Sequence, residues 1–379
     1  MAHKNLLIFM PSIEGGGVEK NFFIITNYLA GQKINIKVIT ADKKFNHLFS
    51  KKIKIINPKS FFWSHRGRYL KYFICLSLLI KEHLKIKKFL TFSFQANIYC
   101  IIVTKIFNKK IISRSNSSSA GWSKNFLKNF IFRRILKIAD KVIVNSKDFK
   151  RELDKKFNIN TKCIYNPFNK STVIKLSKKK LNKSVYRNNK TLKILNVGRL
   201  VDQKDQMTLL KAIKLVQNKI PIEVLIIGNG IKKNELQNYI YKNNLKKTVR
   251  IINFTNNPYN YMQKCELFIL TSIYEGLPNV LLEAQCLKKF IISTRCPTGP
   301  REILMDGKVG HLFSPTDEIE LANKILDYYI NKKKYNRMIN LGYKNLYRFD
   351  GEINLEKYYN LIKKYLKNLN KKFYFYFVI

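Results

Sequence analysis

The sequence predicts an α/β protein with two doubly wound, Rossmann-like parallel-sheet domains that face a cleft. Its 379 residues exceed what one hydrophobic core usually organises. Short apolar strands, each followed by a turn and an amphipathic helix, recur in two separate series. A Lys- and Asn-rich segment lies between the series, as expected of an interdomain linker. A hydrophobic content of 46% excludes a disordered chain.

We place the first domain at residues 1–175. Its opening strand, Asn5–Phe9, is short and apolar, as buried parallel strands are. A glycine turn follows and leads into a predicted helix at 18–30 with apolar residues on one face. The remaining predicted strands of this domain are 36–40, 89–94, 110–113 and 141–145.

We place the linker at 176–190 and the second domain at 191–350, where the strand–turn–helix pattern restarts. The predicted strands are 192–197, 222–227, 249–254, 267–270 and 290–293. The predicted helices are 207–217, 232–243, 259–263 and 279–286. A closing helix at 353–370 is expected to pack back onto the first domain.

The formal net charge of +48 leaves four interpretations open. Lysines could be scattered over solvated faces, or the charge could attract an anionic membrane surface. An anionic substrate such as a nucleotide diphosphate fits equally well. Nucleic acid is the fourth interpretation, but the sequence has no nucleic-acid module signature, so we expect no specific nucleic-acid partner.

The six cysteines form no C-x-x-C pair, which favours buried free thiols in a reducing compartment. The opening apolar stretch is too short for a secretory signal. No apolar run approaches the roughly 20 residues that cross a bilayer. We therefore expect a cytoplasmic protein, and a peripheral position on the inner face of the cytoplasmic membrane stays open.

The segment 274–284 carries the main chemical signal, because two carboxylates, Glu275 and Glu283, stand eight residues apart. Pro278 suits the first turn of a helix, where its missing N–H costs nothing. The backbone N–H groups around this helix start, with the helix dipole, would bind a diphosphate. The attached sugar would then lie near Glu275 and the ribose near Glu283. The donor-binding candidates between these acids are Gly276, Leu277, Pro278, Asn279 and Val280.

A second signal follows directly on a predicted strand, where Arg199 and Lys204 lie in a loop. The guanidinium offers a planar fork for phosphate oxygens and the ammonium offers a point charge. Together they could neutralise a leaving diphosphate without a metal. An ordinary basic loop is the alternative. We assign Glu275, Arg199 and Lys204 as the catalytic candidates.

Glycine turns supply the remaining donor-site candidates. Gly16 and Gly17 allow close backbone approach at a helix start, although a tight turn without a ligand is the alternative. Gly228 and Asn229 end a strand near the expected nucleotide base. Phe254, at the end of the predicted strand 249–254, is also placed among the donor-binding residues.

Arg114 and Asn116 end a strand of the first domain and are our candidates for contact with the acceptor, with a plain polar loop as the alternative. The five histidines do not cluster and no D-x-D occurs, so we predict neither a metal site nor any cofactor. The absence of G-x-x-x-x-G-K-[ST] excludes a P-loop kinase.

Together these motifs resemble one family. E-G-L-P-x-x-x-x-E-A at 275–284, preceded by G-R-L-x-x-Q-K-D at 198–205 and a glycine turn near residue 16, is similar to the GT-B retaining glycosyltransferase family 4, the glycosyl transferases group 1. The segment 296–302 resembles bacterial members that build surface polysaccharide or lipid-linked oligosaccharide.

The resemblance implies a GT-B fold whose second domain binds a nucleotide-sugar donor, with UDP-sugar favoured. It implies that Arg199 and Lys204 hold the diphosphate, that Glu275 touches the sugar and that Glu283 binds the ribose. It also implies retention at the anomeric carbon, no metal, and a glycan or lipid-diphosphate-linked acceptor. Family members often have a histidine where this chain has 114–116, which leaves the acceptor-side residues open.

The basic segment 124–137 carries lysines and arginines among apolar residues. Such a helix could lie on an anionic bilayer, and a core-facing helix with a solvated basic side is the alternative. Two rival functions stay open: a GT-B nucleotide-sugar epimerase or phosphorylase, and a non-enzymatic basic protein that binds RNA or membranes.

Overall fold

The computed structural model describes residues 5–14, 16–116, 126–181, 185–188 and 190–370. The chain forms two compact units: unit 1 comprises Met1–Pro167 and Gly351–Ile379, and unit 2 comprises Phe168–Asp350. Each unit is a parallel sheet with helices, so the prediction of two α/β domains is confirmed. No helix of the described ranges is long and apolar enough to cross a membrane.

Each unit contains one sheet in which every recorded strand pair is parallel. The strands of unit 1 are β1 (Asn5–Phe9), β2 (Asn35–Ile39), β3 (Ile53–Ile56), β4 (Leu90–Ser93), β5 (Lys110–Ser115), β6 (Lys141–Val144) and β7 (Lys162–Cys163). Those of unit 2 are β8 (Leu192–Val197), β9 (Ile222–Ile227), β10 (Val249–Ile252), β11 (Leu267–Leu270), β12 (Phe290–Thr294) and β13 (His311–Phe313). The strand orders are β3-β2-β1-β4-β5-β6-β7 and β10-β9-β8-β11-β12-β13.

The helices fill the connections between strands. Unit 1 begins with α1 (Gly17–Ala30), α2 (Arg68–Lys85), α3 (Asn97–Ile106), α4 (Phe126–Ile138) and α5 (Lys147–Phe157). Unit 2 contains α6 (Lys170–Ser177), α7 (Gln206–Val216), α8 (Lys233–Lys242), α9 (Tyr259–Lys264), α10 (Asn279–Cys286), α11 (Pro300–Ile303), α12 (Glu318–Ile330) and α13 (Asn336–Lys344). The chain then returns to unit 1 with α14 (Gly351–Lys367).

The sheet of unit 1 has a hydrophobic core on each face, as a doubly wound sheet requires. On one face α1 and α14 contribute buried residues such as Phe22 and Ile362. On the other face α2, α3, α4 and α5 contribute Cys75, Ile101, Leu136 and Leu153, respectively. Strand residues are buried towards both faces, which is why β1 is an almost continuous apolar run in the sequence.

The segment predicted as the linker, 176–190, differs from the observed division of the chain. The chain enters unit 2 at Phe168, and α6, at 170–177, overlaps the predicted linker only at residues 176–177. The Asn169 side chain caps this helix by accepting a hydrogen bond from the Thr172 N–H at 2.8 Å. Only Val173 and Ser177 are buried, so the helix lacks a conspicuous apolar pattern. Residues 182–184 and 189 lie outside the described residues.

The chain enters and leaves unit 2 side by side. The Phe168 N–H donates to the Phe349 carbonyl at 3.1 Å, and Phe168 forms a parallel bridge with Asp350. Immediately afterwards α14 joins unit 1, where Tyr358 and Leu366 are part of the core. Unit 1 is therefore assembled from two separate stretches of sequence.

All six cysteines are free, and five of them are buried. Burial raises the pKa of the Cys100 thiol to about 12, and that of Cys265 also to about 12. Thiols with such raised pKa values carry little thiolate at neutral pH and are poor nucleophiles. The sequence prediction of buried free thiols therefore holds for five of the six, while Cys163 is partly exposed.

His83 lies in the last turn of α2 and is buried, and its ring stacks on the Phe107 ring with the centroids 5.1 Å apart. Its Nδ1 atom has no hydrogen-bond partner among the described residues. Burial, and secondarily the Lys109 ammonium, lower the pKa of His83 from 6.5 to about 4.

This histidine is expected to make the protein less stable in acid. Between pH 6.5 and about 4 the unfolded chain binds a proton at His83 that the folded chain does not, so stability falls as the pH falls. We expect this group to remove about 2–3 kcal/mol of unfolding free energy between pH 7 and pH 4.5. Urea titrations at both pH values should show that His83→Gln loses this share of the pH dependence. His47 is exposed, and the control variant His47→Gln should keep the pH dependence of the wild type. An unchanged pH dependence in His83→Gln would show that His83 is not the group responsible.

Candidate functional site

The candidate donor site of unit 2 lies in loops that leave one edge of its sheet. The strands β9, β8, β11 and β12 are parallel neighbours in that order. Their carboxyl ends lead into the loops 228–232, 198–205, 271–278 and 295–299. Because neighbouring parallel strands end at the same edge, the four loops converge there, which is where open α/β sheets bind ligands.

Lys204 and Glu275 form an ion pair at this edge. The Lys204 ammonium donates to Glu275 Oε1, and both side chains are largely buried. Ser272 Oγ donates to the same oxygen at 2.7 Å. No described residue donates to Oε2, so that oxygen is available to a hydroxyl of a bound sugar.

The two loops that carry this pair are joined by one backbone hydrogen bond and by two hydrogen bonds from side chains to backbone carbonyls. The Ile273 N–H donates to the Gln203 carbonyl at 2.9 Å, and Gln203 Nε2 donates to the Tyr274 carbonyl at 2.9 Å. Thr271 Oγ1 donates to the Lys204 carbonyl at 2.7 Å. These bonds fix the separation of the two backbones, so the geometry of the ion pair is set by the loops.

Arg199 is the exposed cation of the same site. Its Nη2 atom donates to Gln203 Oε1 at 3.3 Å, and its backbone carbonyl accepts from Gln206 Nε2 at 3.0 Å. The structure thus brings Arg199, Lys204 and Glu275 together in unit 2, as their assignment to one diphosphate and sugar site requires. The backbone of Arg199 is held by its hydrogen bond, while its guanidinium is exposed to solvent. A side chain placed in this way can move to contact a bound ligand.

The glycine turn after β9 packs directly on the loop after β8. A Cβ atom at Gly228 would lie 1.8 Å from the Gly198 carbonyl oxygen, and one at Gly230 would lie 2.2 Å from the Leu200 carbonyl oxygen. The Leu200 N–H donates to the Asn229 carbonyl at 2.9 Å, which ties the two loops. Glycine is required here by the close backbone approach, and that approach positions Arg199.

A second close approach surrounds the start of α10. A Cβ atom at Gly299 would lie 2.4 Å from the Gly276 carbonyl oxygen, and the φ of Gly299 is +91°. Thr298 Oγ1 donates to the Glu275 carbonyl. Pro278 immediately precedes α10, which begins at Asn279 as the sequence predicted. The loop after β12 thus braces the turn that leads from Glu275 into this helix.

Glu283 lies within α10 and is buried, where its Oε1 accepts from Tyr259 Oη at 3.0 Å. It belongs to the same helix whose start follows Glu275. Tyr259 opens α9 and was not among the sequence candidates.

Asn229 and Phe254 are exposed, and the Phe254 N–H donates to Asn229 Oδ1 at 3.4 Å, so the structure brings these two candidates together beside the loop after β9.

The hydroxyl residues of this site were missed from the sequence. Ser272, Thr298 and Thr271 all hold the Lys204–Glu275 pair or its loops. Their position could have indicated them, because each follows the carboxyl end of a buried strand. This position is not specific, however, because hydroxyl residues are common in such loops. Cys296, also nearby, has a pKa raised to about 12 by burial and by the Glu275 charge, which argues against a nucleophilic role.

The first-domain glycine candidates lie at the start of α1. Gly16 precedes this helix and Gly17 is its first residue, while Gly15 lies outside the described residues. Side chains from elsewhere in unit 1 hold the preceding segment: Asp42 Oδ2 accepts from the Ile13 N–H at 2.8 Å, and Glu14 accepts from Arg68 Nε at 3.0 Å. The placement at a helix start agrees with the sequence prediction. Its role in donor binding stays a prediction.

The structure does not support direct acceptor contact by Arg114, because this residue has no exposed surface. Its Nε donates to Tyr358 Oη at 2.8 Å and its Nη2 to Asn166 Oδ1 at 2.6 Å. Nη1 donates to Asn116 Oδ1, and Asn116 Nδ2 donates to the Phe94 carbonyl at 3.0 Å. Arg114 therefore ties α14 to the end of β5, and only the partly exposed Asn116 faces outward there.

A metal centre is not visible in the ranges described. No group of three or more His, Cys, Asp and Glu side chains there could hold a metal ion. The charge at the candidate site is carried by Lys204 and Arg199, whose chemistry suits phosphate oxygens directly.

Comparison with known proteins gives a family for unit 2. Residues 177–345 match the family model described as glycosyl transferases group 1. An uncharacterized glycosyltransferase of Methanocaldococcus jannaschii is 33% identical over 218 residues, which are 54% of this chain and 53% of that protein. The N-acetylgalactosamine-N,N'-diacetylbacillosaminyl-diphospho-undecaprenol 4-alpha-N-acetylgalactosaminyltransferase of Campylobacter jejuni is 29% identical over 227 residues, 58% of this chain and 61% of that protein.

These alignments span about half to three fifths of the curated relatives. Among solved structures, Anabaena Alr3699/HepE in complex with UDP has a TM-score of 0.75 at 17% identity and covers 95% of this chain and 100% of its own. That likeness establishes the fold alone, and the fold is GT-B. Residues 177–345 therefore match the glycosyl transferases group 1 family, which is the family that the sequence motifs resemble, and the fold of the chain is GT-B.

Proposed function

We propose that this protein is a retaining glycosyltransferase that moves a hexosyl or N-acetylhexosaminyl group from a UDP-sugar to a hydroxyl of a glycan or lipid-linked acceptor, without a metal. The observation that carries the proposal is the Lys204–Glu275 pair held beside Arg199 at the carboxyl edge of the unit 2 sheet. The family model over the same residues supports the reaction class. UDP is favoured because the Anabaena structure of this fold was solved with UDP.

The charges of the site fit the leaving group of such a reaction. As the bond between the anomeric carbon and the diphosphate oxygen breaks, negative charge collects on the diphosphate. The Arg199 guanidinium and the Lys204 ammonium would stabilise that charge, helped by the positive end of the α10 dipole. Oε2 of Glu275 would accept a hydrogen bond from a sugar hydroxyl and so orient the ring.

Retention is assigned to attack on the same face from which the diphosphate leaves. The acceptor oxygen forms its bond to the anomeric carbon while the leaving diphosphate takes the acceptor proton, giving the glycoside and UDP. Glu275 Oε1 already accepts from Lys204 and Ser272, which makes this carboxylate a poor covalent nucleophile. Glu283 would bind the ribose hydroxyls next to its bond with Tyr259.

The acceptor is proposed to be lipid-linked, in surface polysaccharide or glycolipid synthesis. The Campylobacter relative is named for an undecaprenyl diphosphate acceptor, and it aligns over 58% of this chain. The strongly basic composition suits a diphosphate-linked acceptor at an anionic membrane surface. We therefore place the protein in the cytoplasm, peripheral to the inner face of the membrane.

Donor binding should be visible as protection from heat. We expect millimolar UDP to raise the melting temperature by a few degrees, because a ligand bound at 100 times its Kd adds about 2.7 kcal/mol of stability. ADP, GDP and CDP serve as controls in differential scanning fluorimetry, and Arg199→Ala should reduce the UDP shift.

Transfer is then assayed with radiolabelled UDP-sugars and a polyprenyl-diphosphate-linked glycan. A labelled lipid product supports the proposal. Equal thermal protection by all four nucleotides would show that the site does not select uridine as the base of the donor. Release of an altered free sugar in the absence of an acceptor would indicate an epimerase instead.

A further inference from the structure

Helix α2 of unit 1 presents an apolar stripe to solvent along nearly its whole length. Tyr69, Phe73, Ile80 and Leu84 are 81%, 70%, 37% and 72% exposed. With the partly buried Leu76 they recur every three or four residues, so they share one face of the helix. At 1.5 Å per residue this stripe is about 22 Å long.

The opposite face of α2 explains why the stripe points outward. Lys71 donates to Asp42 Oδ1 at 2.6 Å, and Glu82 Oε2 accepts from Lys37 at 2.6 Å. Both pairs are largely buried against β2 and the segment that follows it. Rotating the helix to bury the stripe would break both pairs and leave buried charges without partners, which costs several kcal/mol.

The neighbouring helices extend this surface. On α3, which packs against both α2 and α4, Tyr99, Ile102 and Ile106 are exposed. At the other end of α2, Phe61 and Phe62 are exposed in the short segment that contacts it. We call the surface formed by these side chains and the α2 stripe the α2–α3 face. On α4 the exposed apolar residues continue, in the segment that the sequence marked as a basic amphipathic helix; its first residue, Lys124, lies outside the described residues.

Most of the charge around the α2–α3 face is positive, although Glu14 pairs with Arg68 at the start of α2 and Asp140 pairs with Lys105 on α3. Residues 43–139 contain 22 lysines and arginines and a single acidic residue, Glu82. That acid is buried and paired, as shown above, so it offsets little of the exposed charge. Arg66 lies over the Phe62 ring with its guanidinium carbon 3.7 Å from the centroid, and Lys43 Nζ lies 4.3 Å from the Phe61 centroid. Exposed aromatic and aliphatic side chains are thus interleaved with cations.

We propose that the α2–α3 face docks on an anionic lipid bilayer, with its aromatic and aliphatic side chains entering the headgroup region and the surrounding lysines and arginines contacting lipid phosphates. Tyr, Phe and Leu on one side of a helix bordered by Lys and Arg are the composition that binds lipid interfaces. A second copy of this chain fits poorly, because pairing two such faces would bring two sets of positive charges together. The bilayer would also hold the lipid-linked acceptor, and in this respect the inference rests on the proposed function.

The test is co-sedimentation of the full chain with vesicles. Wild-type protein should bind vesicles of phosphatidylglycerol and phosphatidylcholine, bind pure phosphatidylcholine at least about tenfold more weakly, and be released by high salt. The triple variant Tyr69→Ser, Phe73→Ser, Leu84→Ser should lose about tenfold or more in affinity for the anionic vesicles. The matched control is Tyr241→Ser, Ile319→Ser, Ile330→Ser in unit 2, whose parent side chains are 65%, 64% and 75% exposed. Circular dichroism melts of both triple variants confirm that they fold.

The outcomes separate this proposal from the proposed function. Equal vesicle binding by the triple variant and wild type would overturn it, as would wild-type binding to neutral and anionic vesicles alike. A wild-type dimer that becomes monomeric in the triple variant, with vesicle binding unchanged, would identify the face as a contact between copies instead. The triple variant should transfer sugar to a water-soluble acceptor at the wild-type rate and lose transfer only to acceptor embedded in vesicles. If neither protein transfers sugar, the proposed function fails, while the sedimentation result still decides the membrane surface.

Discussion

Replacing Lys204 by methionine is expected to lower kcat/KM for sugar transfer by about a thousandfold, mostly through kcat. The ammonium is the buried cation nearest the acid assigned to the sugar, and it donates directly to Glu275. Removing one preorganised donor for charge that develops in a transition state costs about 100- to 1,000-fold in kcat. Lys204 also orients the Glu275 carboxylate, so one substitution removes two functions, and the effect should lie at the upper end of that range.

Methionine retains much of the length and apolar contact of lysine, which limits loss of packing beside Gly198. The matched control is Lys211→Met, which removes an equal charge from α7, where this lysine pairs with Glu318 at 3.7 Å on the surface. Initial rates over a range of UDP-sugar concentrations give kcat and KM separately. A Lys204→Met enzyme within tenfold of wild type, with UDP affinity unchanged, would show that this lysine does not touch the diphosphate.

Gly228→Ala is expected to destabilise the protein by about 3 kcal/mol or more, and to abolish UDP binding. The added Cβ atom would lie 1.8 Å from the carbonyl oxygen of Gly198, which is backbone and cannot rotate away. Either β9 or the loop after β8 must shift, and that loop carries Arg199 and Lys204. Stability and donor affinity should therefore be lost together.

Gly67→Ala is the control, because a Cβ atom there meets nothing within 4 Å and Gly67 has an ordinary φ of −59°. Urea unfolding at 25 °C measures the stability change, and calorimetric titration with UDP measures affinity. If Gly228→Ala unfolds like wild type and binds UDP normally, the turn after β9 does not position the donor site.

The sequence was most informative where structure is local. The apolar strand Asn5–Phe9 and the helix Asn279–Cys286 were located to the residue, because apolar runs and Pro278 mark their limits. The alternation of strand and helix patterns was sufficient to predict two parallel sheets. The predicted end of the first domain, residue 175, differs from the observed start of unit 2 at Phe168, because α6 buries only two of its eight side chains and so gives no clear apolar pattern.

The candidate site shows the limit of local patterns. Lys204 and Glu275 are 71 residues apart in sequence and meet only because β8 and β11 are neighbours in the sheet. Motif resemblance named both residues, but not Ser272, whose hydrogen bond depends on that strand order. Arg114 was misjudged because its partner Tyr358 lies 244 residues further along the chain.

Hydrophobic periodicity likewise could not say which side of α2 faces inward. The pattern identifies a stripe, and the stripe is usually the buried side. Here Asp42 and Lys37 decide the orientation, because they pair with Lys71 and Glu82 on the side of the helix opposite the stripe. The inward side also carries Cys75 and Leu79, which are buried in the core, so α2 is apolar on both sides and only the three-dimensional arrangement shows that the stripe is exposed.

The return of α14 to unit 1 has a consequence for biosynthesis. A ribosome completes Phe168–Asp350 before it adds Tyr358, so unit 2 can acquire its whole core while unit 1 still lacks a helix. During that interval Arg114 is without the phenol that accepts from its Nε, and the face of the sheet beneath α14 is open to water. The nascent first half must therefore wait, partly folded, for the last stretch of its own core to emerge from the exit tunnel.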